Sequence, residues 1–463
     1  MCLATGLLPP ACRDDGGSAS DDAGATEGAT GSSTGDATEG MADETGTTGD
    51  AATVTFWQDV APVLYDSCVS CHRQGGIGPF SLETYELAQP WAAAVAASTQ
   101  ARTMPPWLVT DDGTCGEFRH SRWLPQDDVD LIAQWVEAGS PPGQPRDDLQ
   151  VPQSPGIADP TVVPTPSFTP EIQGGELAAF DEYRCFLVDP GLPADRFLTG
   201  YDVLPGNDAI VHHVLVMPVD PTLVVGGGGL TNADVMQDLD DQSPERAGWP
   251  CFGEAGDGVE TSGIPVVWAP GQGVVELPEG TGLRVRQQEV LVVQVHYNLA
   301  DPATIGQSDQ TDVHLRLAEQ VEREGFMILP DPFLESIFGG DPIELPPGEE
   351  SVEYTWEIPV VGLLAAFGLP AVELYGVFPH MHEQGRSMHF EIDGPAGPEC
   401  VADVPRWDFG WQLQYFYEQP RPLVAGETLR VTCDFDTTGA TEPVVPGWGT
   451  RNEMCLMGMY LVP

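Results

Sequence analysis

The sequence predicts a mainly β chain: two tandem jelly-roll β-sandwich domains, preceded by a small all-α domain. Three observations carry that expectation. Short runs rich in Val and Leu, at 209–216, 289–297, 313–317 and 429–433, are punctuated by Pro, Gly and Asp, as antiparallel strands are. Pro and Gly, at 44 and 53 residues, favour turn-rich β structure over long helices. The length of 463 residues, with 41% apolar side chains, exceeds one ordinary domain and can bury several cores.

Taken in order, residues 1–12 carry a short apolar stretch with small residues just before Cys12. They lack a basic n-region and a full h-region. The stretch resembles the end of a lipoprotein signal, with Cys12 as the lipidated residue and the true start upstream; a plain tail is the other reading. Residues 13–52 hold ten Asp or Glu and one Arg among Gly, Ala, Ser and Thr, so 1–52 ends as a disordered acidic tether. Residues 53–145 form the helical unit. Phe56, Val60, Val63 and Leu64 recur at helical spacing. Near 127–138, Val129, Ile132 and Val136 make a stripe widened by Leu131 and Trp135, with Gly139 as a stop. A Pro-rich linker at 146–165 leads to the sandwiches at 166–320 and 321–463.

The charge excludes more than it identifies. Every one of the 18 basic residues is Arg, and 71 acidic residues bring the net charge to −53. Nucleic acid needs clustered basic groups, and an anionic membrane surface repels such a chain. The excess acid outside the tether is read as surface solubility. No run of 18 apolar residues suits a membrane-spanning helix.

Cys68-Val-Ser-Cys71-His72 has the Cys-x-x-Cys-His spacing of covalent haem attachment. Two thiols take the haem vinyl groups and the adjacent His becomes the proximal ligand. A zinc site is the competing reading, since Cys115 and His120 could add ligands. Met104, in Arg-Thr-Met-Pro-Pro-Trp, is the chosen sixth ligand, because His/Met ligation suits electron transfer; His120 is the alternative. The stretch from Cys68 through Met104 to the Trp135 helix resembles compact bacterial c-type cytochrome domains.

Five further His residues fall in three patterns: His212-His213, His296, and His380-Met381-His382. A single His on a strand is more often structural than a ligand. Alternation puts Val292, Gln294 and His296 on one strand face, and period two puts His380 and His382 on one side. His212 and His213 point oppositely on an ideal strand, so they share a metal only near a strand end or bulge. Asn452-Glu453-Met454-Cys455 follows near the C-terminus. Thioether with imidazole favours copper cycling through Cu(I).

In that order, His-His, His-Tyr-Asn, His-x-His and Glu-Met-Cys resemble the type II, ascorbate-dependent copper monooxygenases, over about 166–463. The resemblance implies two jelly-roll sandwiches, each with one copper, facing across a solvent-filled cleft. It places the electron-transfer copper on His212, His213 and His296. It places the catalytic copper, where O2 and substrate meet, on His380, His382 and Met454. It also implies disulfides Cys433–Cys455 and Cys185–Cys251; Cys115 and Cys400 are left over, with their partners open. Gln294 is kept. Phe378 and Leu456 stand where the peptide-hydroxylating members carry an Arg and an Asn for the substrate carboxylate, which points to a small apolar substrate. His314 and His389 match nothing in the family and are read as structural.

The expected function is therefore hydroxylation of a C–H bond with O2. Two copper ions, haem c and an external reductant, ascorbate-like or a redox protein, serve as cofactors. Expected partners are O2, a small organic substrate and an electron donor. The alternative is a non-catalytic exported haem–copper electron carrier or copper-binding protein. Disulfides, haem and copper imply an exported chain, periplasmic or at the cell surface, lipid-anchored if Cys12 is modified.

Overall fold

In the computed structural model, the described residues are 53–463 without 153–155, 173–179, 253, 338 and 450. The acidic tether and the Cys12 anchor lie outside them.

The first helical stretch runs through Phe56–Val60 and Ala61–Ser67, with Pro62 in the first turn of the second segment, where a missing N–H is tolerated. The stripe near 127–138 is realised as the helix Gln126–Glu137, with Val129, Ile132 and Trp135 buried. Phe56, Leu64, Ile132 and Trp135 share one core, and the Trp135 indole donates to the Pro141 carbonyl at 3.0 Å. The helix Ala92–Gln100 leaves no apolar stripe in the sequence. Its buried side is Ala92, Ala96 and Thr99, too small and weakly apolar to show as a stripe.

Residues 107–118 leave this helical core. Trp107, Leu108, Val109 and Phe118 are buried with Tyr415 and Tyr417 in the core of the second sandwich. The Thr110 and Glu418 amides donate to the Asp403 and Glu117 carbonyls at 2.8 and 2.9 Å. A Cys115–Cys400 disulfide closes the attachment, settling the partners that the sequence left open. It also removes Cys115 from the zinc alternative, because a disulfide sulfur has no thiolate to offer.

The chain is mainly β beyond this point. All four Val/Leu runs are strands: Val211–Val219, Val290–Asn298, Asp312–Ala318 and Thr428–Phe435. Among the described residues there are a nine-stranded, a five-stranded and a four-stranded sheet. The five-stranded sheet holds Val211–Val219 and Val290–Asn298 side by side. Its inward Val214, Val216, Val293 and Val295 meet Leu198, Tyr201, Leu283 and Leu315 of the long sheet. The four-stranded sheet buries Phe390, Val431 and Phe435 against Leu374, Met457, Met459 and Leu461 of the same long sheet. The two sandwiches are thus joined by one sheet. Arg323–Ile328 makes the seam, parallel to Thr281–Val285 on one side and antiparallel to Leu456–Val462 on the other.

Every residue of Leu456–Val462 is buried. Successive strand side chains point to opposite faces. Met457, Met459 and Leu461 enter the second core, while Tyr460 and Val462 enter the first. Gly325, on the neighbouring strand, leaves the space that the Tyr460 ring occupies; a Cβ there would collide with it.

Candidate metal centre

His213 and His296 are neighbours on paired strands of the five-stranded sheet, and the ladder slips between Val211 and His213. The irregularity is the bulge that the His-His pair requires, since an extra residue re-aims one side chain. His212, His213 and His296 then come together, with one ligand nitrogen each within 4.8 Å of the others. All three Nδ1 atoms are buried without a hydrogen-bond partner. His296 Nε2 lies 3.1 Å from the Asp181 carboxylate and donates to it, which leaves Nδ1 as a bare lone pair. Burial and the neighbouring imidazoles hold His213 and His296 well below the usual histidine range, so both are neutral at pH 7. Three convergent, neutral, orphaned nitrogens suit copper.

The face expected for His296 is found. Gln294 lies on the side away from the sandwich core, where its side-chain amide donates to the Glu254 carbonyl at 2.8 Å, beside the Cys185–Cys251 disulfide.

His380 ends the strand Val372–His380, and His382 lies beyond it. The expected pairing on one strand face is corrected here. The ladder ends at His380 opposite Leu456, so His382 is placed by other bonds. The buried Glu453 carboxylate accepts from the backbone amides of His382, Gln384 and Met454 at 2.9, 2.6 and 3.2 Å. One side chain thereby ties the His-x-His turn to the Met454 segment. Desolvation nevertheless pushes Glu453 up to about 8. The two rings meet edge-on at 5.1 Å. His380 Nδ1 donates to Gln412 Oε1 at 2.9 Å, which leaves its Nε2 unprotonated, and His382 Nδ1 donates to the Asn452 carbonyl at 3.1 Å. Burial lowers them to about 3 and about 4.

Met454 is buried with Phe378 and Leu456 in a cluster that Val267 of the five-stranded sheet completes. The Cys433–Cys455 disulfide stands next to it, and the Trp356 indole donates to the Cys455 carbonyl at 2.9 Å. The thioether therefore sits in a braced, apolar setting at the meeting of the two sandwiches.

The loop after the four-stranded sheet completes the junction. The Trp407 indole donates to the His382 carbonyl at 3.1 Å. Phe409 touches both histidine groups, with ring centroids 5.1 Å from His212 and 5.9 Å from His382. Gly271, at φ +82°, makes room for Trp411, whose ring would overlap a Cβ. Asp181, Phe409 and Gln412 carry no motif, and only the fold brings them in. Glu453 lies inside the Glu-Met-Cys motif, but that spacing does not reveal its bonds to the His-x-His turn.

In the helical unit, Cys68 and Cys71 are the free cysteines among the described residues. His72 Nδ1 donates to the Phe80 carbonyl at 3.2 Å, and Phe80 stacks on Trp91 at 4.1 Å. Two unpaired thiols beside an oriented imidazole fit covalent haem attachment. His389 pairs with Asp403 at 3.0 Å, in keeping with a structural role.

Comparison with known proteins finds a family match in the C-terminal part of the chain. Residues 341–462 match the family described as copper type II ascorbate-dependent monooxygenase, C-terminal domain. A Gallus gallus protein named DBH-like monooxygenase protein 1 is 24% identical over 203 residues, 42% of this chain and 32% of its own length. Tyramine beta-hydroxylase of Caenorhabditis briggsae is 23% identical over 273 residues, 56% of this chain and 41% of its own. The chain thus spans about a third to two fifths of these relatives' length. Among solved structures, a Paenibacillus xanthan lyase reaches a TM-score of 0.16 at 10% identity, covering 70% of this chain and 28% of its own, a likeness too low to bear on the fold.

Proposed function

We propose that the chain is a member of the copper type II ascorbate-dependent monooxygenase family, a reading that the match over 341–462 and the two relatives support, and that it hydroxylates a C–H bond of a small apolar substrate with O2. The observation that carries the reading is the pair of histidine groups that Phe409 bridges, with the buried Met454 tied to the His382 backbone through the Glu453 carboxylate. His380, His382 and Met454 would hold the catalytic copper; His212, His213 and His296 would hold the second. Copper bound there supplies one-electron redox chemistry and activation of O2. Asp181 and Gln412 fix ring tautomers, and Glu453 holds the backbone that carries His382 and Met454. Phe378, Leu456 and Val267 exclude water and offer an apolar substrate surface without a charged clamp.

Haem c on Cys68 and Cys71, with His72 and Met104 as iron ligands, would relay electrons from an ascorbate-like reductant or redox protein. The same reading takes 53–145 as a cytochrome c-like domain and each sandwich as a jelly roll. It places the chain outside the cytoplasm, periplasmic or at the cell surface, which three disulfides in the described residues support. A lipid on Cys12 would anchor it.

The test is O2 uptake by the copper-loaded, reduced protein against a panel of small apolar compounds. Uptake coupled to hydroxylated product is the expected result. Reduction of haem and copper with no product from any compound would leave the carrier reading instead. Met454→Ala should abolish hydroxylation and leave the haem spectrum unchanged.

A further inference from the structure

We infer that Phe409 is a positioning residue that partitions the two histidine groups, so that the junction binds two metal ions and not one shared ion. The inference rests on the two-copper reading above. Its premise is geometric. The aromatic rings that Phe409 contacts, among the described residues, are His212 of one group and His382 of the other. At 5.1 and 5.9 Å both are in ring-contact range. Its plane is tilted 31° from His212 and stands 79° from His382, so it lies against one ring and presents an edge to the other.

Its backbone is held as a partition needs. Gln412 donates its side-chain amide to the Phe409 carbonyl at 3.0 Å while its oxygen accepts from His380 at 2.9 Å. The same side chain therefore sets one imidazole and the spacer. Asp408 accepts from the Gly410 amide at 3.0 Å and tightens the turn beyond. An apolar ring has no donor atom, so it blocks the space without offering a ligand.

The chemistry makes a partition necessary. Copper accepts imidazoles in many combinations, and each bare nitrogen gained strengthens binding. Without a spacer, His212 from one sandwich and His382 from the other are free to converge on a single ion. That would leave Met454 or His213 outside the coordination.

Titration of the full-length, haem-loaded chain with copper, read by calorimetry and by the copper electron paramagnetic resonance signal, tests this. The wild type should take up two ions with two overlapping signals. Phe409→Ala should take up one, with a single altered signal. Phe409→Trp should retain two ions. Phe409→Val keeps an apolar side chain in the loop but is too short to touch both rings. It should also fall short of two, which preserves the test if the Ala variant fails to fold. Either folded variant binding two ions with the wild-type signal, and merely melting earlier, overturns the partition. A wild type that binds fewer than two ions overturns the two-copper reading and this inference with it.

Discussion

An imidazole with one nitrogen occupied keeps a lone pair on the other for a metal, and Gln412 orients His380 in this way. On the two-copper reading, Gln412→Ala should lower copper affinity at the His380 site by about 10–100-fold. Competition with a chelator of known affinity measures it. His389 shows the opposite electrostatics. Its bond to Asp403 holds the imidazole above the usual range, with Glu391 adding to it. A raised folded value contributes stability that is fully present below the unfolded value near 6.5 and is lost as pH rises through the folded value. The ring is 42% exposed, which screens the effect to under about 1 kcal/mol. His389→Gln should therefore cost most near pH 5 and least near pH 8 in urea unfolding; a cost that grows with pH would refute the assignment.

At the scale of elements, the segment 107–118 is the connection between the Cys-x-x-Cys-His unit and the second sandwich. Its apolar side chains are core residues of that sandwich, and Cys115–Cys400 adds a covalent tie. Replacing both cysteines by Ser should cost about 2–4 kcal/mol, by restoring freedom to the unfolded chain. The segment should then be cleaved first in limited proteolysis. Resistance equal to the wild type would show that packing alone holds it. The bulge at Val211/His213 is an element-scale feature of another kind: it spends one ladder position to turn adjacent histidines toward one point.

For the whole molecule, the strand Leu456–Val462 is the common wall of two cores. Tyr460→Ala should cost about 3–5 kcal/mol, the range of large aromatic truncations in a core. Both sandwiches should still unfold in one calorimetric transition, because neither keeps its wall without the other. Two separated transitions would contradict the shared sheet. No helix among the described residues is long and apolar enough to cross a membrane.

The β character, the helices at 56–67 and 126–137, the strands carrying His296 and His380, and the residue types of the proposed metal sites were legible in the sequence alone. These follow from local periodicity and from donor chemistry, which are written in neighbouring residues. The need for a bulge at His212-His213 was also legible, because adjacent strand side chains diverge. Long-range packing set the rest: one sheet serves both sandwiches, 107–118 belongs to the second core, and Cys115 pairs with Cys400. It also placed Asp181, Phe409 and Gln412 around the histidines. Each of these depends on a contact between residues far apart in the chain. Such a contact is settled by which surfaces bury each other, and no local spacing records it.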